Sequence, residues 1–269
     1  MQSKVVLITG GSSGLGKSTG CYLKSKGYIV YGTTRNLDKY PDFKDFKLLE
    51  LDVRKRESIV TAISQLIENE GRIDVLVNNA GVGITGPIEE TPLEEISNVF
   101  NVNFQGPLAV VSAVLPQMRK QGSGLIINIT SIAGFMGLPY RGIYSASKGA
   151  LEIATEALRL ETKEFGIRIT TLAPGDYATN IAYGRYHVKP NQNSPYFEKY
   201  EATLKSINDS VDDGGDPIEV GRKVHEIICT KNPKLSYKVG ARLQKLSISL
   251  KKMLPQKMFE KLLMKHYKL

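Results

Sequence analysis

Near its N-terminus the chain sets the apolar run Val5-Val6-Leu7-Ile8 directly against Thr9-Gly10-Gly11-Ser12-Ser13-Gly14-Leu15-Gly16, and a helical pattern follows. A short β-branched run of this kind reads as a buried strand, and the glycines read as a tight turn into a helix. Such a turn lets backbone N–H groups approach a pyrophosphate at the positive end of the helix. Glycines that only shape a turn are common, so the loop alone leaves its ligand open. What it constrains is the architecture. Strand, glycine turn and helix open a βαβ unit, and such units build a parallel sheet covered on both faces.

The rest of the chain keeps that alternation. Residues 5–9, 28–34, 46–52, 75–78, 125–131 and 167–173 read as six strands, and 14–26, 58–69 and 143–165 as helices. Residues 94–120 read as one long helix or a broken pair. After Pro174-Gly175 the period loosens: residues 176–215 hold Tyr177, Tyr183, Tyr186, Tyr196 and Tyr200 among turn formers, which predicts a lid or small helical insertion. Asp216-Pro217 predicts a helix cap and first-turn proline for a helix to about residue 231, and residues 237–239 a last short strand. The expectation is an α/β fold, one doubly wound, Rossmann-like parallel-sheet domain over residues 1–240, with a helical lid and an extension over 241–269. At 269 residues and 41% hydrophobic content the chain can bury that core without crosslinks. Cys21 and Cys229 match no metal or redox spacing, so they read as reduced thiols and no metal is expected.

The loop is spaced Thr-Gly-x-x-x-Gly-x-Gly rather than G-x-G-x-x-G, and in this it resembles the short-chain dehydrogenase/reductase family. The resemblance extends along nearly the whole chain. Asp52-Val53 is similar to the family's adenine-pocket pair, Asn78-Asn79-Ala80-Gly81 to its sheet-stabilising motif beside the cofactor, and Pro174-Gly175 with Thr179 to its contact with the nicotinamide carboxamide. The resemblance implies nucleotide contacts at Thr9, Gly10, Ser12, Ser13, Gly14, Leu15 and Gly16, at Asp52 and Val53, at Asn79, Ala80 and Gly81, and at Pro174, Gly175 and Thr179. Asp176, which follows Pro174-Gly175, departs from the family's usual small or aliphatic residues and reads equally as a structural cap or a substrate-facing group.

The residue about twenty positions past the glycine loop selects between the two nicotinamide dinucleotides, since an acid there hydrogen-bonds a ribose 2′-OH. Here that position is Thr34, followed by Arg35, and no Asp or Glu occurs between Tyr28 and Leu37. An uncharged side chain beside a guanidinium suits a 2′-phosphate. NADP(H) is the expected cofactor.

Tyr144 and Lys148 stand i, i+4 in Tyr144-Ser145-Ala146-Ser147-Lys148, one turn apart on one helix face. A free phenol titrates near ~10, and a neighbouring ammonium favours the phenolate. Chance pairs at this spacing are common on helices. Ser131, thirteen residues before Tyr144, and Asn103, in Asn101-Val102-Asn103-Phe104-Gln105-Gly106, give the pair its meaning. The four resemble the family's Asn-Ser-Tyr-Lys tetrad in order and spacing. The resemblance implies that Tyr144 gives or takes a proton, Ser131 bonds the substrate oxygen, Lys148 holds the nicotinamide ribose and lowers the tyrosine pKa, and Asn103 fixes a water. The expected activity is hydride transfer between NADP(H) and a carbonyl or secondary alcohol.

Phe135-Met136-Gly137-Leu138-Pro139-Tyr140 and the tyrosines of 176–215 favour a lipophilic substrate, or else simply pack the lid. A β-ketoacyl-thioester reductase uses the same tetrad, and a nucleotide-sensing binding protein without turnover is the reading from another class; intact Tyr144 and Lys148 argue against the latter. Of the net charge of +9, residues 240–269 carry +7. The body is therefore not expected to bind nucleic acid. Leu246, Leu250, Met253 and Leu254, then Met258, Phe259, Leu262, Leu263 and Tyr267, recur at helical spacing on either side of Pro255. This basic, apolar-faced tail packs over the lid or a partner subunit, or lies on an anionic membrane surface. No secretory or bilayer-spanning run is read in the chain, so a cytoplasmic protein, or one peripheral to a membrane, is expected. By the family's habit it forms a homodimer or homotetramer through residues 94–120 and 143–165.

Overall fold

The computed structural model describes residues 3–177, 184–212 and 214–269, the side chains of 208–212 excepted. Its centre is a seven-stranded, all-parallel sheet built from β1 (Val5–Ile8), β2 (Ile29–Thr34), β3 (Lys47–Glu50), β4 (Val75–Asn78), β6 (Gly124–Ile129), β7 (Ile167–Pro174) and β9 (Ser236–Val239), in the order β3-β2-β1-β4-β6-β7-β9. Successive side chains of a strand point to opposite faces, and here both faces are covered. Val5 and Leu7 enter one core with Leu76, Ile126 and Ile169, while Val6 and Ile8 enter the other with Val75, Val77, Leu125 and Ile127. That is why β1 is a continuous apolar run and not an alternating one.

On the first face lie α2 (Arg56–Glu70) and α4 (Gly106–Gln121), which bury Ile59, Ile63, Leu66, Val110, Val114 and Met118. On the second lie α1 (Gly14–Ser25) and α7 (Ile218–Cys229), which bury Leu23, Val220, Val224 and Ile227. The stretch read as one helix or a broken pair is α3 (Leu93–Phe100) joined to α4 through a π-helical turn, Asn101–Gln105. This helical rod, Leu93–Gln121, is long and apolar enough to cross a bilayer by length and composition, a feature the sequence reading did not register. Its Val99, Val110, Val111 and Val114 are buried in the protein.

Several boundaries differ from expectation, each for a local reason. The strand predicted over 125–131 stops at Ile129, because Ser131 turns its side chain back to accept from the Ala133 N–H at 3.2 Å and caps a short 3-10 turn. The helix predicted over 143–165 is α5 (Gly142–Glu161), followed by a separate 3-10 turn ending at Gly166 with φ +69°. Asp216 caps as expected, accepting from the Ile218 N–H at 2.9 Å, but α7 begins after Pro217. The loosely patterned segment contains α6 (Phe197–Asp212) and a two-residue strand, β8 (Tyr186–His187), paired in parallel with β5 (Ile84–Thr85); neither short strand has a readable period. Beyond β9 come α8 (Arg242–Met253) and α9 (Gln256–Tyr267), separated at Pro255 as the sequence predicts.

Candidate active site

The strand order reverses direction between β1 and β4, and in an open parallel sheet that is where the loops leaving the C-terminal strand ends splay apart into a crevice. Thr9 ties the two loops together. Its hydroxyl accepts from the Asn79 and Ala80 N–H groups, both at 3.0 Å, and the Asn79 amide donates to the Thr9 and Gly10 carbonyls at 2.9 and 3.1 Å. Gly16 opens no space for a side chain: a Cβ there would lie 2.2 Å from the Gly10 carbonyl oxygen. Helix α1 therefore starts hard against the loop. Its first turn holds no acid, and Ser13 makes no side-chain cap bond, so the positive helix end faces the crevice uncontested.

That crevice is a groove of about 650 Å³, within the range of ligand pockets. Gly10, Ser12, Ser13, Gly14 and Leu15 line it from β1, Thr34 and Arg35 from β2, Asp52 and Val53 after β3, and Asn79, Ala80 and Gly81 after β4. A glycine-lined groove at a helix N-terminus fits a dinucleotide pyrophosphate. The sequence reading missed three of its polar residues. Arg54 clamps Asp52 through two bonds of 3.0 and 2.7 Å and holds its carboxyl below the ordinary range. Asn36 and Lys39 also line the groove beyond Arg35. Thr34 is buried, its hydroxyl donating to the Asn36 carbonyl at 3.3 Å.

A second, smaller pocket shares Leu15, Asn79 and Gly81 with the groove and continues to Ser131, Tyr144, Lys148, Pro174 and Gly175. Thr179 lies outside the described residues. The π-turn carries Asn103 inward, where its Oδ1 accepts from the Val82 N–H at 2.8 Å and its Nδ2 donates to the Val82 carbonyl and to Ser147 Oγ at 2.9 and 3.1 Å. Gly81 measures the convergence: a Cβ built there would stand 3.3 Å from Asn103 Oδ1 and 3.4 Å from Lys148 Nζ. Lys148 Nζ donates to the Ile129 carbonyl at 3.1 Å, and Ser131 hydrogen-bonds to the Tyr144 hydroxyl. The four residues assigned from sequence thus meet at the C-terminal ends of β4 and β6.

The electrostatics of this cluster differ from the sequence argument. Burial drops the Lys148 ammonium to about 8, partly opposed by the Glu152 carboxylate one turn on. Burial likewise pushes the Tyr144 phenol up, and the groups that oppose this are Arg141, the Ser131 hydrogen bond and Arg185. Arg141 stacks its guanidinium 5.6 Å from the Tyr144 ring and faces Asp176 at 3.9 Å. Arg185 comes from the lid, and nothing in the sequence pattern marks it. Its Nη1 is buried with no hydrogen-bond partner among the described residues. Asp176 lines this pocket, and its carboxylate accepts from Gln244 Nε2 of α8 at 2.7 Å.

A family model described as short chain dehydrogenase matches residues 4–187. The 3-ketodihydrosphingosine reductase of Bacteroides thetaiotaomicron is 41% identical to the chain over 261 residues, covering 97% of this chain and 96% of that protein. This chain belongs to the short-chain dehydrogenase/reductase family. Members of that family are oxidoreductases acting on alcohol and carbonyl groups. Among solved structures, ElxO with NADP bound is 26% identical with a TM-score of 0.72, covering 88% of this chain and 97% of that one. A family member from Burkholderia phymatum in complex with NAD, 24% identical, covers 93% of both chains with a TM-score of 0.79 and shares the fold.

Proposed function

We propose that the chain is an NADP(H)-dependent reductase of a lipophilic ketone. The observation that carries this reading is the meeting of Asn103, Ser131, Tyr144 and Lys148 in a pocket continuous with the glycine-lined groove. A bound nicotinamide supplies the hydride that reaches the carbonyl carbon. As the carbonyl oxygen gains charge, the Ser131 hydroxyl donates a hydrogen bond to it and the Tyr144 phenol delivers the proton that completes the alcohol. A phenol pushed up by burial stays protonated at neutral pH, which is the form a reduction needs. Lys148, buried beside Gly81, would donate to a ribose hydroxyl of the bound nucleotide, and Asn103 holds the Val82 backbone that lines the pocket.

NADP(H) is favoured over NAD(H) by the absence of a carboxylate at the end of β2, where buried Thr34 is followed by Arg35 and Lys39 at the groove. Both cations suit a 2′-phosphate. For the substrate, the similarity to a 3-ketodihydrosphingosine reductase runs well past residue 187 and through the tail, so a ketone on a long alkyl chain is the first candidate. Asp176 offers an acceptor for a hydroxyl or ammonium beside that carbonyl.

The test is NADPH oxidation with 3-ketodihydrosphingosine, a β-ketoacyl thioester and simple ketones, run on the wild type and on Tyr144→Phe. Removing the proton donor is expected to lower kcat by roughly 100-fold or more while NADPH affinity stays within a few-fold. A Phe variant that keeps a tenth of the activity refutes the tyrosine assignment. NADPH binding with no turnover of any of the ketones points instead to a sensor.

A further inference from the structure

The two C-terminal helices carry more apolar surface than the body uses. Ile248 and Phe259 are buried, and Leu250, Leu254 and Leu263 pack with them against Ile132 and Met136, just past Ser131. Leu243, Leu246, Met253, Met258 and Leu262, by contrast, are between 47 and 80% exposed. On α8, Leu243, Leu246 and Met253 fall within about 80° of one another around the axis, and on α9 Met258 and Leu262 lie within about 40°. Nearly half of the large hydrophobic side chains exposed among the described residues sit in these two helices, a tenth of the chain. Lys245, Lys252, Lys257, Lys261 and Lys265 are exposed on the same helices and Lys268 just beyond α9, and Glu260 is the only acidic side chain among them.

A solvated surface helix needs no such stripe, and a packed one does not leave it outside. A second copy of this chain is a poor occupant, because it would set +7 against +7. The core of a protein–protein interface also tends to exclude lysine. An anionic lipid surface meets both demands at once: headgroups take the lysines, and the boundary with the acyl chains takes the leucines and methionines. We propose that the exposed face of α8 and α9 docks on an anionic membrane surface. The same helices touch two residues that line the Tyr144 pocket: Gln244 brackets Asp176, and Tyr267 lies beside Arg141. The inference stands on the tail alone and does not depend on which ketone is reduced.

The experiment is co-sedimentation of the full chain with vesicles of phosphatidylcholine containing a third phosphatidylglycerol, against phosphatidylcholine alone, at low and high salt. Binding to the anionic vesicles is expected to exceed binding to the neutral ones about tenfold and to collapse at high salt. Leu243→Ser/Leu246→Ser/Met253→Ser is expected to lose most of that binding, with the thermal midpoint and the turnover of a water-soluble ketone unchanged. Lys252→Glu/Lys257→Glu/Lys261→Glu tests the charge independently and is expected to lose it as well. Wild-type protein left in the supernatant with anionic vesicles at low salt overturns the proposal. So does vesicle binding that survives the serine substitutions, or a fall in oligomer mass caused by them, which would assign the face to a copy of the chain.

Discussion

Lys148→Met should make the cofactor-free protein more stable while destroying its activity. The ammonium is buried and its pKa falls from 10.5 to about 8, so the folded state holds a charge it would rather lose. A depression of that size corresponds to roughly 3 kcal/mol of destabilisation at pH 7. Methionine fills a similar volume without charge, but it leaves the Ile129 carbonyl without the 3.1 Å bond it now accepts, a loss of about 1–2 kcal/mol. The expected net gain is therefore about 1–2 kcal/mol at neutral pH, or a few degrees in Tm. The pH dependence is the sharper reading. A lysine with a depressed folded pKa carries its full penalty below that pKa and sheds it as pH rises toward the unfolded value. The advantage of the variant should then shrink by about 2 kcal/mol between pH 7 and pH 9.5. Chemical denaturation of both proteins across that range, without nucleotide, measures it. A variant less stable than wild type at pH 7, or a difference flat with pH, refutes the assignment of a charged, desolvated Lys148.

Two further outcomes are expected. Thr34→Asp puts a carboxylate where a 2′-phosphate would lie, and the NADPH-to-NADH ratio of kcat/KM should fall by roughly 100-fold, ~2.7 kcal/mol; equal use of both cofactors by the wild type would remove the basis for the change. Arg141→Leu removes a guanidinium that holds the Tyr144 phenol down, so the alkaline limb of the reduction profile should move to higher pH and the oxidation should slow at neutral pH. A limb that stays in place would mean that Arg141 acts on the tail and not on the phenol.

Much of this architecture is legible because both periodicities are strong where both faces of the sheet are covered. The strand at 75–78 is found to the residue, since the apolar run Val75-Leu76-Val77 follows Asp74 and leads straight into the Asn78-Asn79-Ala80-Gly81 motif. The tetrad is legible for a different reason: its spacing is fixed by chain geometry, one helical turn from Tyr144 to Lys148 and one strand end back to Ser131. What the sequence hides is whatever depends on a partner from elsewhere in the chain. Arg54 is unremarkable until it is seen clamping Asp52, and Arg185 reaches the pocket only because β8 pairs with β5. The sequence pattern offers only Lys148 as a neighbour that shifts the tyrosine pKa. In the structure burial pushes the phenol up, and Arg141, the Ser131 hydrogen bond and Arg185 oppose it; neither burial nor Arg185 is a property of the local pattern. The tail is half-legible: its apolar positions are plain, but which of them face the body is decided by Ile132 and Met136, far away in sequence.

The π-turn at Asn101–Gln105, closed by the Gly106 N–H on the Asn101 carbonyl, amounts to a phase slip of one residue between α3 and α4. Deleting any one residue of it would restore an ordinary helix at little local cost, and yet everything downstream would rotate by about 100° and draw back by about 1.5 Å. The stripe Val110, Val114 and Met118 would then swing away from the sheet it now covers, and Asn103 would lose the Val82 backbone it holds from both sides. A segment that looks like a flaw in a long helix is in this sense the timing mark of the fold: its length, more than its composition, is what the chain cannot change.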